Sequence, residues 1–302
     1  MTIVLWVIFA VLAAALIWLD LFATRRRAQG LSARRALAWY VFYVAMALLF
    51  GLGIALFRGA GRGLEFLTAY IIEVSLSVDN LFVFILIFAS FGIAAPRQPR
   101  VLKWGILGAI AMRIALILAG VSLLNAFHWL IYVFGAVLIV TAARMAFGPE
   151  QEVDTERHVV LRAARKIFPV AGGATGEAFF VREGGRICAT ALFLVLVMIE
   201  FSDLVFAVDS IPAVLAVTRD PLIAVTSNIF AIMGLRALYF VLAGVMGMFR
   251  FLKYGVALIL AFVGVKMLAS DWVHITTGLS LAVICATLAA AVLLSARIKE
   301  KH

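Results

Sequence analysis

Five carboxylates lie inside long apolar stretches of this sequence, and they are the residues best suited to chemistry. They are Glu73, Asp79, Glu200, Asp203 and Asp209. Placing an aspartate at the middle of a membrane-spanning helix costs about 2.5–3.5 kcal/mol on insertion scales. These side chains therefore require oppositely charged partners or a bound cation.

Three basic residues in the same kind of apolar stretch are the available partners. We expect Arg113, Arg236 and Lys266 to balance the charge of the carboxylates. Because the acids outnumber these bases, pairing leaves an excess of negative charge that one divalent cation would neutralise. The composition of the stretches therefore favours binding of a cation over binding of an anion.

The other polar side chains in these stretches supply oxygen atoms. Asn80, Ser210 and Asn228 are candidate supporting ligands, and no histidine or cysteine joins the acids. Oxygen ligands suit the hard cations Mg²⁺, Ca²⁺ and Mn²⁺, whereas zinc and copper prefer imidazole and thiolate. Carboxylates in a low-dielectric site also exchange protons for cations.

Helical geometry restricts how the acids meet. Glu73 and Asp79 are separated by six residues, as are Asp203 and Asp209. At 100° per residue, the two members of each pair point about 120° apart on a straight helix. Pro212 predicts a kink, because it cannot donate a hydrogen bond to the carbonyl four residues earlier. A broken helix would bring extra carbonyl ligands to the ion.

The elements that must hold these residues are membrane-spanning helices. Of the 302 residues, 66% are hydrophobic and only 14% are charged. A hydrocarbon core requires about 20 apolar residues per helix, which predicts about nine spans in this chain. Their approximate ranges are 2–22, 36–57, 65–90, 101–120, 126–146, 187–216, 222–246, 252–270 and 274–296.

The basic residues decide the orientation of the chain. The net charge is +10, and it is concentrated in short loops after alternate spans, a distribution that argues against a nucleic-acid-binding protein. Because cytoplasmic loops are rich in Lys and Arg, we place the N-terminus outside and the C-terminus in the cytoplasm. The basic segment 159–168 is either a helix on the inner leaflet or a solvated connector.

An internal repeat relates the two groups of acids. Glu73 to Asn80 and Asp203 to Ser210 share an acid, four residues, then Val-Asp and a small polar residue. In each case the next span contains an arginine, and the span after that ends with a basic residue before methionine. Blocks with an odd number of spans enter the membrane from opposite sides, as in inverted-repeat transporters.

The repeat divides the chain into five segments. We expect two N-terminal helices in 1–63, a first three-helix repeat in 64–146 and a cytoplasmic loop in 147–186. A second three-helix repeat follows in 187–270, and a final helix with a cytoplasmic tail in 271–302. The predicted fold is an all-α membrane protein with two inverted three-helix repeats and three peripheral helices.

Several motifs of the chain resemble the TerC family, and especially its Alx-like branch. They are the segments 73–83, 200–214, 226–244 and 263–268, together with Phe-Phe-Val-Arg at 179–182. The resemblance covers most of the chain and implies a bacterial inner-membrane protein of the lysine-exporter superfamily. It also implies manganese efflux, with the motif acids of the family at the five carboxylates named above.

The expected function is therefore a secondary transporter that exports Mn²⁺, in exchange for protons, with no enzymatic step and no organic cofactor. The expected partners are the metal ion, protons and the lipid bilayer, and nucleic acid is not among them. Three alternatives remain. They are a tellurite or oxyanion-resistance protein, a non-transporting partner that delivers metal, and an intramembrane aspartyl protease with Asp79 and Asp209 as its dyad.

Overall fold

A computed structural model describes most of the chain. The described residues are 2–23, 33–127, 129–148, 169–171, 178–183, 185–242, 252–273 and 275–297. Within them the chain forms nine helices and one small hairpin. The helices are α1 (Thr2–Ala23), α2 (Ala33–Arg58), α3 (Ala60–Ser90), α4 (Gln98–Ala126), α5 (Leu130–Phe147), α6 (Ala191–Leu215), α7 (Pro221–Leu242), α8 (Leu252–Leu268) and α9 (Thr277–Arg297). The hairpin pairs β1 (Phe180–Glu183) with β2 (Arg186–Ala189).

The helices match the predicted spans closely, and the all-helical prediction is confirmed. Among the described residues, eight helices are long and apolar enough to cross a membrane. The remaining one, α8, has 17 residues, the lower end of the usual length for a span. The chain is therefore a multi-pass membrane protein.

The turns between consecutive helices are short and have identifiable causes. Gly59 separates α2 from α3 at a φ of 96°, a left-handed conformation that glycine adopts without steric cost. Asp220 caps α7, since its Oδ1 accepts a hydrogen bond from the Leu222 N–H at 3.0 Å. Pro221 then occupies the first position of α7, where a missing N–H costs nothing.

The centre of the molecule is built from α3, α4, α6 and α7. Helices α3 and α4 each pack against both α6 and α7, and almost every side chain of α7 is buried. An aromatic cluster holds α1 and α2 against this centre, with Phe9, Phe50 and Phe66 around Phe230. Large buried rings dominate packing energy, so this cluster fixes α7 against three other helices.

The helix pairs follow a two-fold pattern. If the two blocks are related, α3 corresponds to α6, α4 to α7 and α5 to α8. The contact between α3 and α7 then corresponds to a contact between α6 and α4, and the structure contains both. The pair α5–α8 corresponds to itself, and its contact is reciprocal. A Cβ atom added at Gly135 would lie 3.0 Å from the backbone oxygen of Gly264, and one added at Gly264 would lie 2.9 Å from the backbone oxygen of Gly135. This packing supports the expectation of two related blocks.

The directions of the helices also agree with the alternation of spans. Gly105 faces Ile199 and Gly120 faces Leu215, so α4 and α6 run parallel to each other. Tyr132, at the start of α5, donates a hydrogen bond to Asp271, just beyond the end of α8, so these two helices are antiparallel.

The β1–β2 hairpin was not predicted from the sequence. Predicted span six began at residue 187, but residues 186–189 pair with β1 instead, and α6 begins at Ala191. The ring centroids of Phe180 and Phe193 are 4.6 Å apart, and the Cζ atom of Arg100 lies 5.5 Å from the centroid of the Phe179 ring. Four-residue strands are too short to give a recognisable alternation. The predicted basic segment 159–168 lies outside the described residues.

Candidate functional site

The centre of the helix assembly contains a buried arginine bound to two carboxylates. Arg113 of α4 donates from Nε to Asp203 Oδ2 at 3.1 Å and from Nη2 to Asp203 Oδ1 at 2.8 Å. Its Nη1 donates to Glu73 Oε1 of α3 and to Ser210 Oγ of α6, the latter at 3.3 Å. This Arg113 cluster, formed by Glu73, Arg113, Asp203 and Ser210, joins α3, α4 and α6.

The cluster is deeply buried and contains two acidic side chains for one basic side chain. Glu73 and Arg113 are fully buried, and Asp203 is 3% exposed. At 1.5 Å per residue, Asp203 lies about 18 Å from the start of α6, close to the middle of that helix. Two carboxylates and one guanidinium leave one net negative charge here if both acids are ionised. The hydrogen bonds from Arg113 to both acids offset part of the cost of burying these charges, but one guanidinium does not balance two carboxylates.

Several buried polar atoms of α3 and α7 are not hydrogen-bonded within the described residues. Among the described residues, Glu73 Oε2, Ser77 Oγ and both amide atoms of Asn228 have no partner. Ser77 follows Glu73 by one helical turn, so the two side chains lie on the same face of α3. Buried polar atoms are nearly always paired in folded proteins, so these unpaired oxygens are the atoms of the site with spare capacity to bind a ligand.

Glu200 lies one turn before Asp203 on α6 and faces a glycine of α4. A methyl group at Gly108 would lie 2.6 Å from Glu200 Oε2, closer than real side chains approach. The carboxylate therefore occupies the space that a side chain at position 108 would take. Glu200 is half-buried, in contrast to Glu73 and Asp203.

Asp209 faces a different helix from Asp203. Its Oδ1 accepts a hydrogen bond from Thr141 Oγ1 of α5 at 2.7 Å, and it lies outside the Arg113 cluster. The predicted angle of about 120° between Asp203 and Asp209 explains this divergence, because α6 remains helical through Pro212 to Leu215. The predicted break in α6 is therefore not observed.

The other predicted residues are placed as follows. Asp79 belongs to α3, but its side chain lies outside the described residues. Asn80 is buried on the same helix, and Arg236 is buried within α7. Lys266 donates from Nζ to Ser280 Oγ of α9 at 3.0 Å. Lys266 is thus hydrogen-bonded to a hydroxyl, and not to one of the carboxylates that we expected it to balance.

The structure thus brings together part of the predicted site. Glu73, Asp203, Ser210 and Arg113 converge, whereas Asp209 pairs separately with Thr141. Across the described part of the chain, no group of three or more Asp, Glu, His or Cys side chains is arranged to hold a metal ion. Thr141 and Gly108 were not predicted as site residues. Thr141, a polar residue inside a predicted span, had a weak signal, and Gly108 had none.

Comparisons with known proteins agree with the architecture. Residues 58–302 match the family described as "Integral membrane protein TerC family". The chain is 45% identical over 298 residues to an uncharacterized membrane protein of Myxococcus xanthus, covering 99% of this chain and 93% of that protein. It is 44% identical over 300 residues to the "Putative membrane-bound redox modulator Alx" of Photorhabdus laumondii, covering 96% and 94%.

A membrane protein of Rickettsia bellii is 39% identical over 278 residues, covering 92% of both chains. No solved structure matches this chain. The family match covers well over half of the chain, and the bacterial relatives align along nearly their whole length. The chain therefore belongs to the TerC family of multi-pass integral membrane proteins.

Proposed function

We propose that this protein is a secondary transporter that exports Mn²⁺ from the bacterial cytoplasm across the inner membrane. The observation that carries the proposal is the Arg113 cluster, in which two buried carboxylates share one guanidinium near the middle of the spanning helices. A buried ionisable group inside a membrane domain is expensive, and such groups line ion pathways. The proposed orientation has the N-terminus outside and the C-terminus in the cytoplasm.

The charge of the cluster favours a cation as the substrate. Oxyanion carriers require surplus buried positive charge, whereas Glu73 and Asp203 outnumber Arg113 here. In the proposed mechanism, Arg113 holds the two acids together while the site has no metal ion. An arriving divalent cation competes with the guanidinium for the same oxygens, and Glu73 Oε2 is already free to bind it. The oxygen donors suit Mn²⁺.

Export against a negative cytoplasm requires an energy source. Moving two positive charges outward costs about 4.6 kcal/mol per 100 mV of membrane potential. The proposed source is inward movement of protons, because carboxylates released by the metal ion are ready proton acceptors. No enzymatic step and no organic cofactor enter this mechanism.

Cation flux into proteoliposomes tests the proposal directly. Mn²⁺, Ca²⁺, Mg²⁺ and Zn²⁺ would be compared, with and without a pH gradient, for the wild type and for Asp203→Asn. The matched control is Asp220→Asn, since Asp220 pairs with Arg58 at a helix end, outside the Arg113 cluster. We expect Mn²⁺ flux that Asp203→Asn abolishes and Asp220→Asn retains.

The contrary outcomes are separable. No flux of any cation from the wild type, or equal flux from Asp203→Asn, would remove the proposed transport mechanism. Flux that does not respond to the pH gradient would remove only the exchange with protons.

A further inference from the structure

A groove on the outside of the helix assembly contains a lysine. The groove runs between α1 and α4 and is open on one side. Its apolar and aromatic walls are formed by Leu16, Ile17, Tyr43, Ile106, Leu107 and Met233. Among the described residues, Lys103 of α4 is the one charged member of the lining, and it is half-buried. The groove therefore combines an apolar wall with one ammonium group.

Lys103 has no acidic partner among the residues that the structure describes. Glu200 of α6 faces α4 at Gly108. Gly108 is five residues from Lys103, which places it about 140° away around the helix. Leu107, only about 40° from Lys103, lies in the groove instead. A half-buried charge in a membrane domain is costly without a counter-charge, so the groove favours an anion beside Lys103.

The groove lies near one membrane surface, at the level of the lipid headgroups. Lys103 follows the first residue of α4 by five positions, about 7.5 Å along the axis. Trp18 precedes the last residue of α1 by the same number of positions, and Ile17 beside it lines the groove. Trp18 and Trp104 are 59% and 51% exposed. Tryptophans are enriched at membrane–water interfaces, and a lysine at this depth extends its ammonium group to the headgroups.

The adjoining surface is rich in positive charge. In the sequence, Arg25, Arg26 and Arg27 follow α1, and Arg97 and Arg100 stand at the start of α4. This end of the molecule carries the β1–β2 hairpin, because α4 and α6 run parallel and the hairpin directly precedes α6. The proposed orientation assigns it to the cytoplasm. Basic pockets between spanning helices on the cytoplasmic side bind the headgroups of anionic lipids.

We propose that this groove binds one anionic phospholipid from the adjoining leaflet. The phosphate diester of the lipid lies beside Lys103, and one acyl chain lies along Leu16, Ile17 and Leu107. Both α1 and α4 pack against α7, so the bound lipid fills the space between them and holds α1 to the centre of the molecule. Lys103 precedes Arg113 by ten residues, about 15 Å along α4, so the lipid site is separate from the Arg113 cluster. It does not depend on the proposed transport function.

Lipid binding to the purified, delipidated protein tests the inference. Native mass spectrometry would measure the binding of dioleoylphosphatidylglycerol and of dioleoylphosphatidylcholine, which has the same acyl chains but no net charge. The variants are Lys103→Met and Lys103→Arg. The matched control is Lys253→Met, because Lys253 is also half-buried, lies at the start of α8 and does not line the groove.

We expect the wild type to bind phosphatidylglycerol more tightly than phosphatidylcholine. Lys103→Met should weaken phosphatidylglycerol binding about tenfold, equivalent to roughly 1.4 kcal/mol, whereas Lys103→Arg and Lys253→Met should retain it. Equal affinity of the wild type for the two lipids, or equal phosphatidylglycerol affinity of the wild type and Lys103→Met, would overturn the inference. Displacement of the lipid by inorganic phosphate would assign Lys103 to a soluble anion and would also overturn it.

A second measurement leaves the lysine in place. Leu107→Trp narrows the groove and should weaken phosphatidylglycerol binding, whereas Leu118→Trp, at an exposed position of the same helix outside the groove, should not. Equal binding by these two variants would contradict the position of the acyl chain.

The remaining competitor for Lys103 is Asp20, which follows Ile17 by three residues on α1. A bound lipid raises the unfolding temperature of the protein that binds it. We expect phosphatidylglycerol to raise the unfolding temperature of both the wild type and Asp20→Asn. A rise in Asp20→Asn alone would assign Asp20 as the partner of Lys103 and would overturn the inference.

Discussion

Replacing Arg113 by methionine removes the single positive charge that the structure places between Glu73 and Asp203. Methionine keeps much of the length and apolar volume of the arginine side chain, so the main loss is electrostatic. Breaking a buried ion pair by removing one partner costs about 3–5 kcal/mol, because the remaining charge is left uncompensated. Here two carboxylates lose the same partner, so the upper part of that range is expected.

The assay is reversible unfolding of the purified protein in mixed detergent micelles, in the absence of divalent cations. The control is Arg62→Met, since Arg62 also pairs with a glutamate but its side chain is 44% exposed. Exposed ion pairs contribute about 0–1 kcal/mol, so Arg62→Met should change the free energy of unfolding by no more than this. A second variant, Arg113→Met combined with Glu73→Gln and Asp203→Asn, should recover most of the lost stability.

The stability of the triple variant distinguishes a loss caused by uncompensated charge from a loss caused by poorer packing. If Arg113→Met unfolds at the same denaturant concentration as the wild type, the buried charges are not coupled as the structure indicates. If the triple variant is no more stable than Arg113→Met, the loss comes from packing and not from uncompensated charge. Added Mn²⁺ should stabilise Arg113→Met more than the wild type, because the cation then meets no competing guanidinium.

Three further predictions concern contacts outside the Arg113 cluster. Thr141→Val keeps the shape of the side chain but removes the donor to Asp209, and should lower the free energy of unfolding by about 1.5–3 kcal/mol; an unchanged unfolding curve would contradict this contact. Gly264→Ala places a methyl group 2.9 Å from the Gly135 oxygen and should destabilise the protein by about 1–3 kcal/mol. Gly53→Ala is its control, because a methyl group there meets no atom within 4 Å, and equal stability of these two variants would contradict the close α5–α8 contact. Lys266→Met should leave the half-saturating Mn²⁺ concentration unchanged, since Lys266 binds Ser280; a marked rise would restore the expectation that it balances a carboxylate.

The spans and their alternation were predictable from the sequence alone. Each of the predicted ranges overlaps a helix of the structure, including the short α8, because the apolar length that a membrane requires is a local property. The position of the acids within the spans was predictable for the same reason. The family was also recognisable, since its motifs are continuous segments of sequence.

Which acid meets which base was decided only by the tertiary structure. Helical geometry predicted that Asp203 and Asp209 diverge, but it did not indicate that one would face Arg113 and the other Thr141. Gly108 matters only because α6 brings Glu200 against it, and Lys266 reaches Ser280 only because α8 packs on α9. Periodicity along one helix determines the direction of a side chain, whereas its partner depends on which helix lies opposite and at what height.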